Sequence, residues 1–465
     1  MMSRQLTVFS EHTAVQQFSG ELPAVSPDPG RAYLPGTLKL NRVFTFLLLF
    51  LAVYLVMPVV DLPIGGLSIS TPVMGLIALR VLMEPRGILG RYTGWIIWAY
   101  IFWLAVLASL VGSYLSGRNP DLSLDDAILM VRYAFWMLTF IIMIMLTSLT
   151  SDRFMNLLAV TLGLATLALA GLRLYEAIAF GRWGAWTGAS ILTQNTYGWL
   201  FSTFSPFVFF MMVRANGWKR ILAVSGFVMM LAAVAGNGSR SSWFTVALGV
   251  LISVGLYSFS RQVTLSRITW VMLLLVVLTV GVISFLPDEV MAPILERFST
   301  LENVEEEGSF GVRELMIQKG VKLFLTSPLL GVGPGRFREV SVPLDIPYNL
   351  VDNSQAHFDR KSSHNSYISL LAESGLVAVI PLAVLLLILT VRGPLAVIPL
   401  AQVGELWTVP VYAGFIGMSI HLWSLSGLAS TAPWFVYGML AGILYRSAAL
   451  RQRQIRALRA EGGGV

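Results

Sequence analysis

The sequence predicts an all-α polytopic membrane protein of about twelve transmembrane helices, and three observations carry that expectation. Of the 465 residues, 56% are hydrophobic and only 12% are charged, about half the charged share of a soluble domain. Apolar runs recur along the whole chain, and about 20 such residues suffice to cross a bilayer as a helix. The runs do not alternate apolar and polar residues, as the strands of a barrel would. There is no cysteine, which removes disulfides, thiolate metal sites and thiol chemistry. A net charge of +7 reads, in such a chain, as an orientation signal rather than a nucleic-acid footprint.

In chain order, residues 1–40 are polar and hold Pro23, Pro27, Pro29 and Pro35. They lack the apolar core of a cleaved signal peptide and are expected to form a mostly disordered cytoplasmic tail. Residues 41–286 hold nine apolar segments, near 43–60, 64–83, 94–114, 127–148, 154–176, 192–213, 220–236, 241–259 and 267–286. The second is weak, broken by Gly65-Gly66 and Pro72. Three more follow within 364–447, near 364–390, 407–426 and 430–447. Between the first two of these, 393–406 is apolar but contains Pro394 and Pro399, so it is expected to be re-entrant or interfacial. Residues 448–465 form a basic tail with Arg451, Arg453, Arg456 and Arg459.

Lysine and arginine set the orientation. With the N-terminus inside, the inner connections carry Arg86 and Arg91, Arg214, Lys219 and Arg220, then Arg261 and Arg267. Both ends are then cytoplasmic, and the one large loop, 287–363, falls outside. Long loops between spans are uncommon unless they serve a function. Within it, 312–326 places Ile317, Val321, Phe324 and Leu325 at helical spacing, with Lys319 and Lys322 on another side. That pattern suits an amphipathic helix lying along the membrane surface. Pro328, Gly331, Gly333, Pro334 and Gly335 then mark a turn region.

His364 stands where this polar loop gives way to an apolar segment. With Ser362 or Ser363 as N-cap, it would lie in the first helical turn. Tyr367 and Ile368 would share its face, beside a polar stripe of Asn365, Ser366, Ser369 and Glu373 that should face protein or a water-filled cavity. A neutral imidazole can take a proton from an attacking hydroxyl; the competing reading is an inert interfacial histidine. Arg240, in Gly238-Ser239-Arg240-Ser241-Ser242, is either a snorkelling arginine or an anion clamp, since its planar fork matches phosphate oxygens. Arg313 follows Phe310-Gly311-Val312 at the expected start of the amphipathic helix, where free N–H groups assist anion binding. A salt bridge to Glu305-Glu306-Glu307 competes. Arg132 lies inside a span without a partner one turn away and reads as a cavity-facing cation. Arg173 and Glu176, three apart, could pair.

Other signals fail. Gly331-Val332-Gly333-Pro334-Gly335-Arg336-Phe337 lacks the Lys-Ser/Thr ending of a P-loop and the spacing of a dinucleotide fingerprint. His357 and His364 with Asp359 give no firm metal geometry. Asp125-Asp126 and Asp288-Glu289 each lack a third acidic ligand nearby. No metal site and no cofactor are expected.

Three pieces together resemble the O-antigen ligase and polymerase family of bacterial envelope glycosyltransferases. His364-Asn365-Ser366-Tyr367, running into Glu373-Ser374-Gly375, is similar to the family's histidine–asparagine helix with its Glu-x-Gly ending. The glycine turn 331–337 stands before it, and Arg240 and Arg313 resemble the family's two arginine positions. The resemblance implies one large periplasmic loop containing amphipathic helices, in a multi-pass protein of the bacterial inner membrane. It further implies a metal-independent, inverting transfer of a glycan from undecaprenyl diphosphate to a sugar hydroxyl at the periplasmic face. The acceptor would be a lipid-A-core sugar or another glycan. Arg240 and Arg313 would hold the diphosphate and His364 would deprotonate the acceptor; Arg132, Arg336, Asn365 and Tyr367 would line the substrate path. Lipopolysaccharide or exopolysaccharide biosynthesis is the expected setting. A repeat-unit polymerase of the same family is the alternative to a ligase. From another class, a lipid-linked oligosaccharide flippase or ion-coupled transporter competes, but an inverted-repeat carrier should show two similar halves. The 287–363 loop has no counterpart in the first half.

Overall fold

The computed structural model describes residues 40–58, 70–83, 89–117, 122–180, 192–284, 308–342 and 363–462, with Leu38, Met291, Ala292, Leu295 and Leu344 as isolated positions. Almost all of the N-terminal tail, Asp288-Glu289, Glu305-Glu306-Glu307, His357, Asp359 and Ser362 lie outside the described residues. Among the described residues every regular element is a helix. The first nine are α1 (Arg42–Val56), α2 (Ser70–Leu82), α3 (Thr93–Leu115), α4 (Leu124–Leu149), α5 (Asp152–Phe180), α6 (Gln194–Arg214), α7 (Trp218–Gly236), α8 (Arg240–Ser258) and α9 (Leu265–Ser284). Two follow in the large loop, α10 (Gly308–Thr326) and the short α11 (Phe337–Val340). The last three are α12 (Ser366–Gln402), α13 (Thr408–His421) and α14 (Thr431–Gly462). Seven of them, α3 to α8 and α12, are long and apolar enough to cross a membrane; α1, α2 and α9 contain shorter apolar helices.

One expectation is corrected. Residues 393–406 are not a separate re-entrant piece, because α12 runs through Pro381, Pro394 and Pro399 to Gln402. A proline removes one helix hydrogen bond without ending a helix whose neighbours hold it. The basic segment after 447 is helical as far as Gly462, where α14 ends.

Buried α6, packed against α5, α7, α8 and α13, forms the centre of the bundle. Small residues let it pack closely: a Cβ on Gly414 or Gly417 of α13 would fall within 2.5 Å of the Thr203 or Ser202 carbonyl oxygen of α6, the close approach small residues permit between membrane helices. Beside it, α14 packs against α4 and α12.

The bundle has two distinct ends. At one, which we call the site end, α6, α8, α12 and α14 begin and α7 and α13 finish. At the far end Arg446 Nε donates to Glu405 Oε2 at 2.7 Å, its Nη1 to the Thr147 and Thr150 carbonyls, and its guanidinium lies 5.2 Å from the Trp407 ring centre. Trp407 Nε1 donates in turn to Asp152 Oδ1. Arg267 ties α9 to the α6–α7 turn through the Arg214 and Ala215 carbonyls. Arg446, Asp152 and Arg267 each have at least one hydrogen-bond partner here, as burial favours.

Candidate active site

The start of α12 differs from the expectation. Its N-cap is Asn365, whose Oδ1 accepts from Tyr367 N at 3.0 Å and Ile368 N at 3.1 Å. Ser363 does not cap the helix; its hydroxyl donates to Asn365 O and accepts from Asn365 N. His364 is therefore not in the first turn. It precedes the cap in the left-handed region, φ 48°, and is half-buried. Asparagine wins the cap because one amide oxygen spans two orphan N–H groups. That task commits the Asn365 oxygen, and the residue is buried.

The polar stripe of α12 faces protein, as expected. Ser366 N donates to Leu422 O at 2.9 Å, and its hydroxyl meets Leu425 O, Gly427 N and Leu428 N. Tyr367 OH donates to Ser419 O at 2.7 Å, and its ring packs 5.0 Å from the Trp423 ring. These bonds fasten the His364 segment to the C-terminal end of α13.

Arg240 arrives at the same end from the other side. It is the first residue of α8, behind Ser239, which gives no side-chain cap. The turn before it, with Gly238 at φ 69°, is gripped by buried Arg173 of α5. Arg173 Nη2 donates to Gly236 O at 2.9 Å, its Nε to Asn237 Oδ1 at 3.3 Å, and its guanidinium lies 5.9 Å from the Tyr197 ring centre. Glu176 stands within electrostatic reach. Arg173 thus holds the turn that carries Arg240. Within that first turn of α8, Ser242 N and Trp243 N donate to Ser239 O at 3.0 and 3.3 Å.

His421, the last residue of α13, joins the two halves and was not singled out by the sequence reading. It is 1% exposed. Its Nδ1 is 3.1 Å from Ser202 Oγ, itself 2.5 Å from Thr245 Oγ1. A Cβ on Gly198 would lie 2.9 Å from Ser239 Oγ and 3.2 Å from His421 Cε1, so Ser239 and His421 flank one glycine of α6. Arg313 is close enough to act electrostatically on His421. The signal for His421 in sequence was a histidine near the end of the apolar segment 407–426, as His364 stands at the start of another.

Arg313 itself is not at the helix N-terminus, since α10 begins at Gly308. The amphipathic reading of α10 is half right. Ile317, Val321 and Leu325 are exposed, as a membrane-facing stripe would be, but a second apolar face of Val312, Leu315, Met316 and Leu323 packs towards Ala372 of α12. Lys319 sits in that inner face at 5% exposure instead of on an outer polar side. Gly320 allows this, because a Cβ there would be 2.3 Å from Ile368 Cγ2.

The glycine turn and the Glu-x-Gly ending prove to be one interlock. At Gly375, φ 62° and ψ −165°, α12 is broken. The groups this frees are taken by the turn: Val332 N and Gly333 N donate to the Ala372 and Glu373 carbonyls, while Leu376 N and Val377 N donate to Pro328 O and Leu329 O. Glu373 Oε1 accepts from Phe337 N at 3.2 Å.

Two expected substrate contacts stand elsewhere. Arg336 Nη2 pairs with Asp126 Oδ2 at 2.8 Å and its Nη1 with Glu339 Oε2 at 2.7 Å. Burial alone would lower the Arg336 pKa, but the two carboxylates outweigh it and raise it. Asp126 also completes a capping box with Ser123, which accounts for one of the acidic pairs. Arg336 therefore ties the turn to α4. Asp126→Asn is expected to lower stability by about 2 kcal/mol, the scale of a hydrogen bond to a charged group, read as a lower unfolding midpoint in detergent. Arg132 is exposed on α4 rather than enclosed in a cavity.

Among the described residues no cluster of three histidine or acidic side chains could hold a metal ion. Arg240, Arg313 and His364 come from α8, α10 and the residue before the α12 cap. Arg313 acts electrostatically on His421, Ser366 bonds to Leu422, and Ser239 shares Gly198 with His421, so all three segments approach the end of α13. No curated protein matches the chain. Residues 225–383, from within α7 to within α12, match the family model described as O-antigen ligase. The matched segment spans less than half of the chain and supports a relation to the O-antigen ligase family.

Proposed function

We propose that this protein transfers a glycan from undecaprenyl diphosphate to a sugar hydroxyl, as an O-antigen ligase, at the periplasmic face of the bacterial inner membrane. The observation that carries the reading is the gathering of two arginines and a histidine from three separate segments at one end of the bundle. Arg214, Arg220, Arg261, Arg267 and Arg446 lie at the other end, which supports a cytoplasmic placement there. The acceptor oxygen attacks the anomeric carbon, the bond from that carbon to the diphosphate oxygen breaks, and the electron pair leaves with the diphosphate. Attack from the opposite face inverts the anomeric centre. Arg240 and Arg313 stabilise the charge gathering on the leaving group. His364 receives the acceptor's proton. Guanidinium groups supply the charge stabilisation, so the scheme routes no step through a metal.

Arg240→Gln and Arg313→Gln are each expected to slow turnover by about 10²–10³, the scale of losing one oxyanion donor. The assay is the purified chain with a polyprenyl-diphosphate-linked glycan and a core oligosaccharide acceptor; wild-type rates in both variants overturn the clamp. A deletion strain tests the reaction class. Long chains stranded on the lipid diphosphate support ligation, and a single repeat unit on the core indicates a polymerase. Unchanged surface glycan removes both.

A further inference from the structure

We infer that the far end of the bundle carries a binding site for an anionic phospholipid, independent of the proposed transfer. A cavity of about 330 Å³ opens there between the α8–α9 connection, the end of α12 and α14, lined by Arg261, Pro399, Gln402, Val403, Arg451 and Gln454. All its charged lining is cationic, and two amides add donors. The nearby acid, Glu405, is already bound to Arg446 at 2.7 Å. One Arg451 nitrogen is anchored on Leu395 O at 2.9 Å; a guanidinium has five N–H donors, so that bond fixes the side chain and leaves others for an anion.

The site is built rather than formed by chance surface charge. Ser260 Oγ donates to Ala401 O at 3.1 Å and accepts from Gln262 N at 3.2 Å. Gly404, φ 102°, lets the Gln262 side chain pack where a Cβ would meet it at 2.3 Å. These contacts dock the connection bearing Arg261 onto the end of α12.

The occupant is a lipid rather than a free anion because of what adjoins the cavity. Ile380, Val384, Leu387, Val391 and Leu395 are all exposed on α12. Their spacing of three and four residues makes one stripe along a helix that spans the apolar layer. It ends at Leu395, whose carbonyl Arg451 holds. A phosphate between Arg261 and Arg451 would thus leave its acyl chain lying along that stripe, and basic pockets between membrane helices at this depth suit such head groups.

The test is native mass spectrometry of the detergent-purified full chain, titrated with phosphatidylglycerol or phosphatidylcholine. Phosphatidylglycerol is expected to be retained preferentially, with retention falling about fivefold for each of Arg261→Gln and Arg451→Gln. Val403→Glu, at an exposed rim position, should remove the preference without touching a buried contact. Arg453→Gln, on α14 but outside the cavity lining, should leave it intact. Equal retention of the two lipids overturns the proposal, as does a loss with Arg453→Gln as large as with Arg451→Gln. Displacement of the lipid by millimolar inorganic phosphate overturns it in favour of a free-anion site.

Discussion

Replacing His364 by asparagine is expected to abolish glycan transfer while leaving the protein folded. The choice of residue matters because His364 sits at φ 48°. Alanine there would add backbone strain of about 1–2 kcal/mol, so lost activity could follow from a displaced α12 start. Asparagine adopts the left-handed region readily, and its amide fits a half-buried site of this kind. It has no group that takes a proton near neutral pH. A missing general base lowers the rate by about 10²–10⁴. Turnover and the unfolding midpoint should be measured on the same preparation. A rate within a few-fold of the parent, at an unchanged midpoint, removes His364 from the chemistry and leaves it a loop residue.

The second large effect is on folding. Gly375→Ala is expected to leave little folded protein. At φ 62° any side chain is strained, and the added Cβ would lie 2.3 Å from Leu329 O, a backbone atom that cannot swing aside. Strained backbone costs about 1–3 kcal/mol and overpacking about 1–3 kcal/mol more, against a whole stability of about 5–15 kcal/mol. Gly331→Ala should behave alike, since its Cβ would meet the Glu373 carbonyl carbon at 2.3 Å with φ 71°. Gly75→Ala, with nothing within 4 Å, is the control and should fold normally. Yield of monodisperse protein and thermal midpoint decide it; a parental midpoint for Gly375→Ala would show that the α12 break is not held by the turn.

Much of the arrangement was legible in the chain. The apolar runs announced the long helices, because hydrocarbon accepts a segment only when its backbone is satisfied within a helix. The Ser-rich stripe beside His364 announced a protein-facing side of α12. What spacing misjudged were choices between similar local options. Ser363 and Asn365 could each cap α12, and only the fit of one amide oxygen to two N–H groups chose Asn365. Arg336 read as a substrate contact because its partner, Asp126, is far away in sequence. Lys319 read as an outer polar residue because nothing local tells which of two apolar faces a helix will bury.

The sequence by itself determined that this is a helical membrane protein and which end of each helix carries its arginines, since both follow from the transfer cost of side chains one at a time. Only the tertiary structure decided that Arg173 grips the turn of Arg240, that His421 of α13 lies against α6, and that the glycine turn repairs the break in α12. Those are contacts between residues distant in the chain, and their energies depend on distance and direction in space, which spacing along a sequence does not contain.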